Sequence, residues 1–330
     1  MGKKTSVKRM TLGALVVVAV AAVWACSGRQ PMAPAGQQSA VPAEQQAAAE
    51  KALTWLHSQQ QDNGSFDAGF GHPAGVTCDA TLAVVAAGED PAAWSSGAGK
   101  PSMAEYLVKS ALEYAVDAAT TGKLIVAIVA AGRDASDFGQ DWVAHLQSFN
   151  DGSGAYDPGS VGQAWAILAL DAAGEEISPE AVEVLKSYQL ETGAWASAFG
   201  PDNDTVSYAL QALVSAGEPQ SSTAIRRALA FFQEQQNDDG GFPAIKPSDW
   251  GTDTNANSTA NVIMALLAVG ENPAAPKWTK AGGNPMTALL ALQGDDGRIE
   301  FQPGVGEPLL STVQAIPAVL NMWLPLRMER

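Results

Sequence analysis

The sequence predicts an all-α protein built as an α6/α6 toroid, a closed double ring of six helical hairpins. Three observations predict it. A helix–turn–helix unit recurs along most of the chain, and the second helix of each unit is apolar on every face. The last unit, moreover, is too apolar to be the polar end cap that an open helical stack requires.

The unit opens with an apolar residue, then Gln, Gly and a bulky apolar residue at fixed spacing. It reads Leu56-Gln60-Gly64-Phe66, Leu185-Gln189-Gly193-Trp195, Phe232-Gln236-Gly240-Phe242 and Leu289-Gln293-Gly297-Ile299. A looser copy has Val143, Gln147 and Gly152, with Tyr156 displaced. Each unit closes on an Ala/Leu/Val run ended by Gly88, Gly132, Gly174, Gly217 or Gly270, which lie 44, 42, 43 and 53 residues apart. A glycine after the last apolar residue is a helix stop, and a nearby proline strengthens it at Pro91, Pro219 and Pro273.

First helices are expected near 47–61, 102–118, 139–149, 178–189, 221–236 and 284–293. Second helices are expected near 78–87, 120–131, 160–173, 204–216, 256–269 and 308–322. The charges sit on the first helices, as Glu50, Lys51, Glu180, Glu183, Arg226 and Arg227. The second helices carry uncharged runs such as 163–170 and 261–268, and a helix apolar all round must be buried all round. Asp204-Thr205, Asn257-Ser258 and Ser311-Thr312 offer N-cap chemistry for three of them.

Composition narrows the partners. The formal charge is −16, and Lys3, Lys4, Lys8 and Arg9 all precede the first acidic residue. A surface this acidic excludes nucleic acid as a partner and repels anionic headgroups. Two cysteines, Cys26 and Cys78, are too few for a disulfide framework.

Residues 1–25 read as a signal peptide: four cations, then the apolar run Thr11–Ala25, shorter than the ~20 residues that cross a bilayer. Val23-Trp24-Ala25-Cys26 resembles a bacterial lipobox, with Cys26 as the lipidated residue. Residues 26–46, rich in Pro, Gln, Ala and Ser, then form a tether, and residues 47–330 the toroid. The expected location is the outer face of the cell membrane as a lipoprotein, with secretion as the alternative. The expected partners are that membrane, through the anchor, and a small apolar or amphipathic ligand.

The Gln-x3-Gly-x-Trp/Phe units followed by Ala/Leu-rich helices resemble the repeats of squalene–hopene cyclases and protein prenyltransferase β subunits, the prenyltransferase/squalene oxidase repeat superfamily. The likeness covers residues 47–324. It implies an apolar central cavity whose functional residues cluster at the N-terminal ends of the inner helices. Carried onto this chain, that lining comprises Cys78, Asp79, Thr121, Gln163, Ser207, Asn257, Asn261 and Gln314, with Trp165 and Tyr208 deeper.

In that family a class II cyclase protonates an alkene with the central carboxyl of Asp-x-Asp-Asp, which must be neutral to donate. The nearest match is Asp202-Asn203-Asp204-Thr205. With Asp202 in first place, Asp204 is the acid; with Asp204-Thr205 as the helix start, Asn203 occupies the acid's place and Asp204 is a cap. Prenyltransferases bind zinc instead, and His72, Cys78 and Asp79 are suitable ligand types at the wrong spacing, so no metal or cofactor is expected.

The main reading is therefore an exported, non-catalytic module that holds an apolar ligand in its cavity. The alternative is a divergent terpene-cyclase-like enzyme with Asp204 as general acid, assisted by Asp202. A second alternative is a carbohydrate hydrolase or lyase, which needs two carboxylates across a cleft.

Overall fold

The computed structural model describes Gly2 and residues 40–326, so Cys26, the signal segment and most of the tether lie outside the described residues. The chain divides into Met1–Ala35 and a compact unit Gly36–Arg330, and every helix among the described residues belongs to the second.

That unit alternates outer and inner helices. The outer ones are α1 (Ala43–His57), α3 (Met103–Tyr114), α5 (Trp142–Gln147), α7 (Pro179–Ser187), α9 (Thr223–Gln235) and α11 (Pro285–Leu290). The inner ones are α2 (Pro73–Ala86), α4 (Ala118–Ala130), α6 (Ser160–Ala173), α8 (Asn203–Ser215), α10 (Ala256–Ala268) and α12 (Pro308–Val319). Each inner helix packs on the next, and α12 packs on α2, so the inner ring is closed. The inner helices are buried on nearly every face, as their composition requires: α6 is buried without a break from Gly162 to Leu170.

Several boundaries differ from the expected ones. Helix α2 starts at Pro73 instead of residue 78, because the His72 ring accepts from the Ala74 amide and proline suits the first helical position. Cys78 therefore lies inside the helix. The caps of α8, α10 and α12 are Asp202, Asn255 and Glu307, so none of the expected pairs caps its helix. A two-residue hairpin, β1 (Ala196–Ser197) with β2 (Gly200–Pro201), and a 3₁₀ turn at Pro276–Trp278 were not legible.

The repeated glutamine is the staple between outer segments. The Gln60 amide donates to the Gly64 carbonyl of its own turn and to the Trp94 carbonyl ahead of the next outer helix. Gln189 does the same to Gly193 and Ala224, and Gln236 to Gly240 and Trp278. Gln293 donates to Gly297 and to Ala48 of α1, which joins the last repeat to the first. The partner glycine has no substitute, since at Gly193 a Cβ would stand 2.4 Å from the Arg227 carbonyl oxygen, and at Gly297 it would stand 2.3 Å from that of Lys51.

The loose repeat is repaired differently from its expected reading. Gly154, not Gly152, makes the close approach, with a Cβ there 2.6 Å from the Ala181 nitrogen, so Tyr156 falls at the regular spacing. Gln147 is exposed and merely accepts from the Tyr156 hydroxyl. Its task passes to Gln163 of α6, which donates to Gly154 and Ala181 and accepts from the Tyr156 amide. Gln163 is thus a staple, not a cavity residue.

A buried amide with three partners leaves all three unpaired when removed. Gln163→Ala should destabilise the protein by about 2–4 kcal/mol in denaturant titrations, whereas Gln147→Ala should change stability by less than about 0.5 kcal/mol. Equal losses at the two sites would show that Gln163 does not carry the staple.

Candidate active site

The inner helices run parallel, as the contacts between equivalent turns show. Near its start α8 meets α10 through Asp204 and Asn261, whose amide donates to the Asp204 carboxylate at 3.1 Å. Helix α10 meets α12 where Asn257 donates to Gln314 at 2.7 Å and accepts from Ser311 at 2.9 Å. Across the ring α2 meets α4 through Asp79 and Lys123, an ion pair at 2.7 Å that is almost wholly buried. Polar groups from the first two turns of five inner helices therefore meet around one axis.

At that axis is a cavity of about 20 Å³, lined by Asp79, Trp165, Tyr208, Asn261, Gln314 and Leu324 among others. This is room for about one water. Its far end is closed by the segment after α12. Met322, Leu324 and Leu326 are buried, and the Leu324 amide donates to Gln211, two turns below Asp204 on α8. The larger hollows of 690 and 410 Å³ are surface clefts on the outer layer, lined by residues such as Ser102 and Glu105 that already cap α3.

Asp204 is the second residue of α8, not its cap. The cap is Asp202, whose carboxylate accepts from the Thr205 amide at 2.6 Å and from its hydroxyl at 3.0 Å. The residue as a whole is half-buried, but protein atoms surround its carboxyl. Loss of water pushes that carboxyl up to about 6, the charge of Asp202 adds to the rise, and hydrogen bonds from Asn261 and Ser258 oppose it. The positive end of a helix favours a carboxylate; here desolvation wins. The Tyr208 hydroxyl is likewise driven upward, first by burial and then by Asp204.

Asn203 makes the competing alignment concrete. It is fully buried and its amide donates to the Pro243 carbonyl, so it braces the neighbouring loop. The sequence-derived lining divides accordingly. Asp79, Trp165, Tyr208, Asn261 and Gln314 line the cavity, and Asn257 holds Gln314 in place. Ser207 instead donates to the Asn203 carbonyl within its own helix, and Thr121 is buried outside the lining. Cys78 is buried outside it too, with a thiol pushed up to about 12 by desolvation. Among the described residues no three His, Cys, Asp or Glu side chains gather into a metal site, and His72 is spent as a cap.

Lys123 was missed. It lies 5.8 Å over the Trp165 ring as well as against Asp79, and Trp165 packs on Tyr208 at 5.2 Å. The available signal was a single charge in the otherwise uncharged run Ala118–Ala130.

Residues 175–300 match the squalene-hopene cyclase C-terminal domain family model. The type II terpene cyclase MstE from Scytonema superposes with a TM-score of 0.56 at 15% identity, covering 84% of this chain and 98% of the other. The chain has the squalene–hopene cyclase-like fold. A variant of the same enzyme has been seen with its substrate geranylgeranyl dihydroxybenzoate, at TM-score 0.55 and 14% identity over 84% of this chain and 97% of that one. The ent-copalyl diphosphate synthase from Streptomyces platensis gives 0.52 at 16% identity, covering 75% of this chain and half of its own. A glycosidase variant also gives 0.52, at 13% identity, covering 84% of this chain and 96% of its own. No curated relative matches the sequence. Squalene–hopene cyclase-like rings thus carry more than one chemistry, and the activity has to be read from the site.

The two aspartates separate by pH. The native Asp204 holds its proton to about 6 against 3.8 ordinarily, so its contribution to stability is full below pH 4 and declines as pH rises through 6. Wild type should lose roughly 1–3 kcal/mol more than Asp204→Asn between pH 4 and pH 7, read from denaturant midpoints. Asp202→Ala should lose about 1 kcal/mol as a lost cap. Parallel pH profiles for wild type and Asp204→Asn would contradict the burial of this carboxyl.

Proposed function

We propose that the protein is a terpene-cyclase-like enzyme that takes an isoprenoid chain into the ring and protonates it with Asp204. The observation that carries this is a carboxylic acid with its proton held to about 6, which lies just behind the cavity wall and accepts from Asn261, a lining residue that shares the cavity with Trp165 and Tyr208. A neutral acid is what so weak a base as an alkene requires. The Asp204 O–H proton passes to one alkene carbon, and its electron pair stays on the carboxylate. The other alkene carbon becomes the cation, which the next double bond attacks, and loss of a proton or capture of water ends the sequence. Ring faces at the axis stabilise the passing positive charge. Asn261 holds the acid's orientation, and Asp202 raises the energy of the ionised form. The complex of MstE with a geranylgeranyl substrate supports an isoprenoid as the ligand class.

A second reading, the exported non-catalytic ligand module, is favoured by one observation. Thr205 follows Asp204 where the cyclase motif has its last acid; under either reading the cavity of about 20 Å³ must widen before a prenyl chain enters. The carbohydrate reading has less support, because the axis holds an Asp79–Lys123 pair in place of a second free carboxylate.

Incubation with geranylgeranyl and squalene-type substrates, read by mass spectrometry, tests the first reading. Cyclic product is expected from wild type, falling about tenfold per pH unit above 6 as the acid ionises, and none from Asp204→Asn. Binding of these chains with no product from wild type at pH 5 would leave the module reading standing.

A further inference from the structure

The described residues that line the axial cavity all lie on inner helices, with the exception of Leu324. Each inner helix is held by neighbours on both sides of a closed ring, so none of them draws back without opening the ring. Leu324 belongs instead to the segment after α12. Asn321, at φ 57, turns the chain out of that helix, and Met322, Leu324 and Leu326 are then buried. No helix or strand forms from Trp323 to Leu326. The Leu324 amide is held by a side chain, donating to Gln211 Oε1 on α8 at 2.8 Å. Gln211 is wholly buried, and its own amide donates to the Ser207 carbonyl one turn back.

We propose that this segment is a displaceable plug, and that Leu324 occupies the place of the leading end of an isoprenoid ligand. The isobutyl group of leucine has the branched carbon skeleton of the terminal unit of a prenyl chain. It shares the cavity with the rings of Trp165 and Tyr208 and with Asn261, whose amide holds Asp204. The ring thus carries its own occupant, and an entering chain competes with it intramolecularly. The apparent affinity for that chain is the intrinsic one scaled by the fraction of molecules whose segment has withdrawn. A short irregular segment opens locally at less cost than a helix packed into a closed ring, so the cavity widens at Leu324 first. The inference rests on the reading that a prenyl chain enters the ring, and it holds whether or not Asp204 then acts as an acid.

Amide hydrogen exchange on the full chain, with isotope-labelled leucine read by NMR and geranylgeraniol as the probe, tests the plug. In the free protein the Leu324 amide should exchange at least about a hundredfold faster than that of Leu266 in α10, through local opening. Bound geranylgeraniol should strip the protection from Leu324. The Leu320 amide, which donates to Ile316 at the end of α12, should keep its own. Gln211→Met removes the acceptor of the Leu324 amide at a residue outside the cavity lining, and should tighten geranylgeraniol binding about tenfold by releasing the segment. Leu324→Ala should tighten it as well, and serves if the first variant does not fold. A Leu324 amide that exchanges no faster than Leu266 would make the segment a fixed wall and overturn the proposal, with the isoprenoid reading untouched. Binding of geranylgeraniol with Leu324 still protected would do the same. Local opening at Leu324 with no binding of the chain by wild type or either variant would overturn the isoprenoid reading, and with it the occupant proposed for this site.

Discussion

The ring depends on one contact, a glutamine amide shared between the carbonyl of its own turn and a carbonyl of the next outer segment. A single NH₂ group has two donors, and here both are used, so each turn that carries the glutamine is fixed to its successor without a covalent link. After α3 the His145 ring meets the Ala115 carbonyl instead. The glycine four residues on lets the two backbones touch, and any side chain there would stand inside the neighbouring chain. The hydrogen bond from Gln293 to Ala48 spans the length of the body, and it turns a row of hairpins into a circle. Where the motif fails, at Gln147, the requirement persists and Gln163 meets it from the inner layer.

A closed circle puts the first turns of the inner helices side by side, and the site's electrostatics follow. The helix N-terminus draws a carboxylate toward ionisation, whereas removal of water resists it. At Asp202, which accepts from Thr205, the local backbone is served; at Asp204, two residues further on, burial dominates. Two carboxyls two residues apart thereby take different duties, one structural and one available for chemistry. On the other side of the ring Lys123 and Asp79 neutralise each other, leaving Asp204 as the uncompensated acid at the axis.

The ring architecture was legible because its determinants are local and repeated. Spacing of Gln, Gly and an aromatic residue marks the turns, and an uncharged run marks an inner helix. Helix starts were less legible, since any of several consecutive Asp, Asn, Ser and Thr residues can cap; at 202–205 the sequence offers four, and the fold uses the first. Asp79, Asn261 and Gln314 were assigned to the lining from their place near inner-helix starts, and Trp165 and Tyr208 from a deeper place on it. Gln163, Ser207 and Thr121 share that place but point elsewhere, a distinction of helical phase that a motif does not carry. The closure of the cavity by Leu324 comes from a segment beyond the last repeat, so no repeat pattern announces it.

The central claim is that Asp204 in the folded ring stays a neutral acid up to about pH 6, and infrared spectroscopy sees that proton directly. The protonated-carboxyl band in the difference between wild type and Asp204→Asn should titrate near 6, as its burial requires. A band that vanishes near the ordinary 3.8 would show a carboxylate at working pH and would contradict the acid's role.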